Sequence, residues 1–150
     1  MQLYDILTPE RVAPSLAATS KKRLLESLSQ LLGRGVEGFD PNAAFQCLTE
    51  RERLGSTGIG EGVALPHGRM KGLARALGAF AVLDAELDYD SIDRKPVKMV
   101  FALLVPENAT TEHLQLLSRI AAVFNNKPLR EKLLQTKSRE ELYNHLIGPS

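Results

Sequence analysis

The runs Leu77–Leu83, LGAFAVL, and Val97–Val105, VKMVFALLV, decide the fold. Neither has a polar face, which is the pattern of strands covered on both sides. Pro106 ends the second run, because proline offers no backbone N–H to a ladder. The polar connection Glu86–Pro96 lies between the runs, with a short strand expected near Tyr89–Ile92. Upstream, Val63–Leu65 reads as a short extended segment, since the residue before Pro66 is pushed away from helical geometry.

Helical patterns surround these strands. Leu24, Leu25, Leu28, Leu31 and Leu32 recur at helical spacing, with Thr19 or Ser20 as N-cap and Gly33 as stop. Asp40 before Pro41 marks the start of a second helix, running to about Arg53 with Ala44, Phe45 and Leu48 on its apolar stripe. Extending that stripe by three residues reaches Arg51. Caps at Asn108–Thr111 open a helix to about Asn125, on which His113, Leu116, Leu117, Ile120 and Phe124 form one face. Pro128 opens a shorter helix through Leu134, and Ser138 with Glu141 has capping-box spacing for a last helix carrying Leu142 and Leu146. At the N-terminus, Leu3–Leu7 makes a helical turn ended by Pro9, and Val12–Leu16 a short strand interrupted by Pro14. Helices before, between and after buried strands define an α/β domain, and 150 residues are expected to form one domain, 1–150.

Nineteen basic and eighteen acidic residues leave a formal charge of +1. That balance has no footprint for nucleic acid or an anionic membrane. The segment MQLYDILTPE has acidic residues and no long apolar run, so neither a signal peptide nor a membrane insertion is expected, and the expected location is cytoplasmic. Cys47, the single cysteine, cannot form an internal disulfide and reads as a packed thiol on a helix.

Chemistry concentrates at Leu54–Arg69, LGSTGIGEGVALPHGR, where Gly55, Gly58, Gly60, Gly62 and Gly68 crowd around His67. Glycines admit positive φ and bring backbone N–H groups close to an anion. An uncharged imidazole is a nucleophile towards phosphorus, and the phosphoryl oxygens need donors. His67, His113 and Arg51 all fall near element ends that can meet at one sheet edge. Ser56, Thr57, Gly60 and Gly62 complete the candidate phosphate-binding set. Taken singly, each has an ordinary role: a turn histidine, a first-turn histidine at the core edge, a helix-end charge, hydroxyls that serve turns. His145 has no chemical neighbour in sequence and receives no role. The spacings that signal zinc are absent, as are G-x-S-x-G and the P-loop, so no metal and no bound cofactor is expected. Spacing alone defines a phosphate-binding α/β protein.

The run GSTGIGEGVALPHGR, with the arginine of TERERLG before it, resembles the active-site segment of enzyme IIA domains of the mannitol/fructose class in the bacterial phosphoenolpyruvate-dependent phosphotransferase system. FALLVPENATTEHLQLLSRIA resembles that family's second motif. The G-S-T-G-I-G loop and the R-E-x-x-G lead-in are most similar to the nitrogen-related branch. The resemblance implies a mixed β-sheet flanked by helices and a phosphoryl group accepted on His67 through Nε2. It further implies that His113 hydrogen-bonds this group and Arg51 anchors it. The implied donor is a small histidine-phosphocarrier protein and the implied output is regulation of target proteins, the alternative being transfer to a fructose- or mannitol-type permease. Glu61 places a negative charge inside the loop, where a small or polar residue is expected.

Overall fold

The computed structural model describes residues 1–148, so the last two positions of the expected domain lie outside the described residues. Its elements run α1 (Leu3–Ile6), a 3-10 turn (Pro9–Arg11), β1 (Val12–Leu16), α2 (Lys21–Leu32), α3 (Pro41–Arg53), β2 (Gly58–Gly60), β3 (Val63–Ala64) and β4 (His67–Met70). They continue with β5 (Leu77–Leu87), β6 (Val97–Pro106), α4 (Thr111–Phe124), α5 (Lys127–Gln135) and α6 (Arg139–Ile147). The strands form a mixed sheet of order β1-β5-β6-β3-β2, with β4 also on β6. β1 is parallel to β5, β5 antiparallel to β6, and both β3 and β4 parallel to β6.

Alternation along β6 explains why its sequence has no polar face. Val100, Ala102 and Leu104 pack with α2 and α3 through Leu24, Leu28, Leu32, Ala44 and Leu48. Met99, Phe101, Leu103 and Val105 point the other way, against Leu116, Ile120 and Phe124 of α4 and against α1, α5 and α6. Phe124 stacks on Phe80 at 5.7 Å and meets Phe101 edge-on at 6.1 Å, which ties α4 to the sheet. The architecture is therefore a mixed sheet between two helical layers, as expected.

Capping places the helices. Ser20 Oγ accepts from Arg23 N, and Asp40 Oδ1 accepts from Asn42 N and Ala43 N. Pro14 lies in β1, which is an edge strand, where a missing N–H is tolerated.

One expectation changes. Tyr89–Ile92 is not a strand: Asp90 and Arg94 have positive φ, and Tyr89 folds inward to full burial. The glycine-rich stretch folds as the β2–β3 hairpin followed by β4, with the expected extended segment at β3. Cys47 is a half-buried thiol on α3 packed against the core, as expected, its Sγ donating to Arg69 O at 3.0 Å.

Candidate phosphoryl-transfer site

β3 and β4 are one strand beside β6 with a break. Val63, Ala64 and His67 pair with Met99, Val100 and Leu103 in unchanged register, and Leu65–Pro66 interrupts the ladder. β2 pairs only with β3, so β4 has an open outer edge. His67 and Arg69 lie beside Leu103 and Val105, on the α4 side of the sheet. Gly68 faces α3, where a Cβ would stand 3.2 Å from Cys47 O and 3.3 Å from Cys47 Cβ. Its missing side chain lets α3 approach β4 closely, and Arg51 follows one turn beyond Cys47.

The outcome is a cleft of ≈ 400 Å³ that straddles the sheet edge. α3 contributes Cys47, Glu50 and Arg51, β4 contributes His67 and Arg69, and α4 contributes His113 and Leu117. An adjoining cleft of ≈ 320 Å³ shares Arg51 and His67 and is lined also by Ser56, Thr57 and Ile59. The structure thus brings His67, His113 and Arg51 to one place, from a strand and two helices on opposite faces. Gly60 and Gly62 line neither cleft. They belong to the hairpin turn, with φ of 96° and 79°.

The two imidazoles have complementary tautomers. His67 Nδ1 lies 2.7 Å from Leu65 O, which can only accept, so Nδ1 bears the proton and Nε2 the lone pair. Burial holds the His67 pKa below its ordinary value of 6.5; the Leu65 hydrogen bond opposes this, the charge of Arg51 adds to it, and Glu52 opposes it. The ring is neutral at pH 7. His113 occupies the third position of α4 and its Nδ1 accepts from Thr110 N at 3.2 Å, which puts the proton on Nε2. One ring therefore presents a nucleophile and the other a donor.

Arg51 spends one N–H on Gly55 O at 2.9 Å and keeps four for a ligand. Ser56 and Thr57 are committed elsewhere: Ser56 Oγ donates to Tyr89 O at 2.8 Å, and the Thr57 hydroxyl donates to the Glu52 carboxylate. Glu61, with φ of 57°, sits at the hairpin turn, its N–H bonded to Asp93 Oδ2 at 2.9 Å and its carboxylate 3.8 Å from Arg130. Its charge is thus partly met by Arg130. Sequence reasoning passed over Arg69 and Glu50. The i, i+2 spacing from His67 was the available signal for Arg69.

A neutral imidazole with its lone pair on Nε2, sharing one cleft with a donor imidazole and a guanidinium at a sheet edge, suits a protein that handles a phosphoryl group. The family model described as "Phosphoenolpyruvate-dependent sugar phosphotransferase system, EIIA 2" matches residues 5–148, and the chain belongs to that family. It is a phosphotransferase component of this system. The "Nitrogen regulatory protein" of Pseudomonas aeruginosa is 42% identical over 147 residues, covering 98% of this chain and 96% of that one. The crystal structure of nitrogen regulatory protein IIA-Ntr from Neisseria meningitidis has 44% identity and a TM-score of 0.88, covering 95% of this chain and 97% of that one. A fructose-specific EIIA component of Haloferax volcanii is 32% identical over 149 residues, covering 97% of both chains. Among the described residues no helix is long and apolar enough to cross a membrane, and no group of three or more potential metal ligands occurs.

Proposed function

We propose that His67 accepts a phosphoryl group on Nε2 from a histidine-phosphocarrier protein, and that the phosphorylated and free forms differ in their affinity for regulatory target proteins. The observation that carries this reading is the bond from His67 Nδ1–H to Leu65 O, which leaves a neutral ring with its lone pair on Nε2. In transfer, that lone pair forms a bond to phosphorus while the donor's N–P bond breaks, its electron pair returning to the donor imidazole. No proton need move. His113 Nε2–H and the Arg51 guanidinium would bind the phosphoryl oxygens by charge-assisted hydrogen bonds. Ser56 and Thr57 enter as supports of the loop, because their hydroxyl protons are already spent.

A protein donor is supported by what surrounds the cleft. Leu54, Leu114 and Ile59 are 84%, 49% and 42% exposed, an apolar rim around a charged centre. Phosphorylation would add roughly −1.5 to −2 charges there at neutral pH, enough to attract or repel a partner face. The regulatory output rests on relatives called nitrogen regulatory protein. This reading places the protein in the cytoplasm, with its donor.

Incubation with carrier, its phosphoenolpyruvate-dependent enzyme I and labelled phosphoenolpyruvate tests the site. Label is expected on His67 and lost in His67→Ala; undiminished labelling of that variant would sink the assignment. The fructose-specific relative favours a second reading, phosphate transfer to a permease. Support of sugar uptake with permease domains would select it, whereas a partner set that changes with phosphorylation would select regulation.

A further inference from the structure

Glu52 follows Arg51 on α3, but its carboxylate turns away from the cleft and into the protein, where its side chain is only 6% exposed. Oε1 accepts from Thr57 N at 3.1 Å and pairs with Lys21 Nζ at 3.0 Å, while Oε2 accepts the Thr57 hydroxyl. The Tyr89 hydroxyl donates to Thr57 Oγ1 at 3.2 Å, and the Lys21 ammonium lies 4.4 Å from the centre of the Tyr89 ring. A buried carboxylate is tolerated only with such partners. Two of the three come from Thr57 itself, and the third, Lys21, lies over the ring of Tyr89, which braces Thr57.

Thr57 leads directly to the nucleophile. Its carbonyl accepts from Leu65 N at 2.9 Å, and the Leu65 carbonyl accepts from His67 Nδ1 at 2.7 Å. Leu65 lies in the gap between β3 and β4, where Pro66 has no N–H to give. Leu65 is therefore held on its outer side through its N–H to Thr57 O, and Thr57 is held by Glu52, with Tyr89 as a brace. We propose that Glu52 is a positioning residue for His67, fixing the Nδ1–H tautomer through Thr57 and Leu65. This rests on the phosphotransfer reading for its purpose, though not for its geometry.

Two variants separate reach from charge. Glu52→Gln keeps an oxygen at the same distance from Thr57 N and loses the charge; Glu52→Asp keeps the charge and the Lys21 partner but falls short by one methylene. The ring nitrogens of His67 in the unphosphorylated protein, read by ¹⁵N NMR above the ring's titration, report the tautomer without any transfer. Wild type and E52Q are expected to show Nδ1–H, and E52D a mixture of tautomers. Phosphoryl transfer should fall about 10- to 100-fold in E52D, the range expected for a misplaced reacting group, and less than about threefold in E52Q, with KM for the carrier unchanged in both. A wild-type ring spectrum in E52D, or a slow E52Q beside a normal E52D, would overturn the positioning role. If the tautomer follows Glu52 but wild type accepts no phosphate, the phosphotransfer reading falls and the positioning stands.

Discussion

Replacing Arg51 by alanine is the perturbation that most directly tests how the cleft works. The guanidinium is held by one bond to Gly55 O at 2.9 Å and lines both clefts beside His67. Its remaining donors are unspent beside His67, where a phosphoryl group on Nε2 would need them. A hydrogen bond to a charged group contributes about 1.5–3 kcal/mol. At about 1.4 kcal/mol per tenfold, losing one slows transfer by roughly 10- to 150-fold. Arg51 sits in the last turn of α3, where its charge suits the helix dipole, so stability should fall by only about 0.3–1 kcal/mol. The variant therefore folds, and slow transfer reflects the site. Arg51→Lys keeps a point charge without the planar fork and should be intermediate. Quench-flow with the phosphorylated carrier measures the rate, and ³¹P NMR the lifetime of the phosphohistidine. Arg51 also helps hold the His67 pKa down, so in R51A the ring should titrate at higher pH, and in R51K near the wild-type value. An R51A rate and lifetime within twofold of wild type, with an unmoved His67 titration, would refute the geometry.

Gly68→Ala should push α3 from β4, because the new methyl would lie 3.2 Å from Cys47 O. We expect a loss of about 1–3 kcal/mol in urea unfolding and slower transfer as Arg51 moves; full stability with full activity would show that α3 has room. Glu61→Asn replaces a left-handed residue, φ 57°, with one suited to the first position of a hairpin turn before glycine. Stability should rise by about 0.5–1 kcal/mol, and a fall in Tm would show that the contact with Arg130 outweighs the turn. The His67 pKa is depressed by folding, so its contribution to stability is complete above the unfolded value near 6.5 and is lost as pH falls through the folded value. The stability difference between wild type and His67→Gln should therefore rise with pH across that window. A flat or falling difference would contradict the burial of the ring.

The helices were legible because their signals are local. Asp40–Pro41 and Ser20 cap within three residues, and the leucines of α2 repeat every turn. β6 was legible because both faces are covered, so no polar residue interrupts Val97–Pro106. β4 carried no such mark: HGRM has one apolar residue in four, and its extended form is imposed by pairing with β6. Tyr89–Ile92 misled for the opposite reason. Its aromatic and β-branched residues suit a strand, but the Tyr89 hydroxyl finds its partner on Thr57, and the chain bends to deliver it there.

The same contrast explains the site. Arg51, His67 and His113 were legible as chemistry, since a nucleophile, a donor and a cation are uncommon at three element ends. What fixes their protonation was not legible, because each imidazole is set by a backbone group: Leu65 O for one and Thr110 N for the other. A glycine-rich stretch suggests an anion cradle, and two of its glycines also permit close approaches between parts of the protein. Gly58 makes room for Ser91 and Gly68 for Cys47. In the proposed function, anion binding at this edge falls to side chains delivered from both helical layers, and Gly68 acts one step earlier, by letting α3 approach β4. A chain that kept Arg51, His67 and His113 but lost Gly68 would retain the residues of the motif without their convergence.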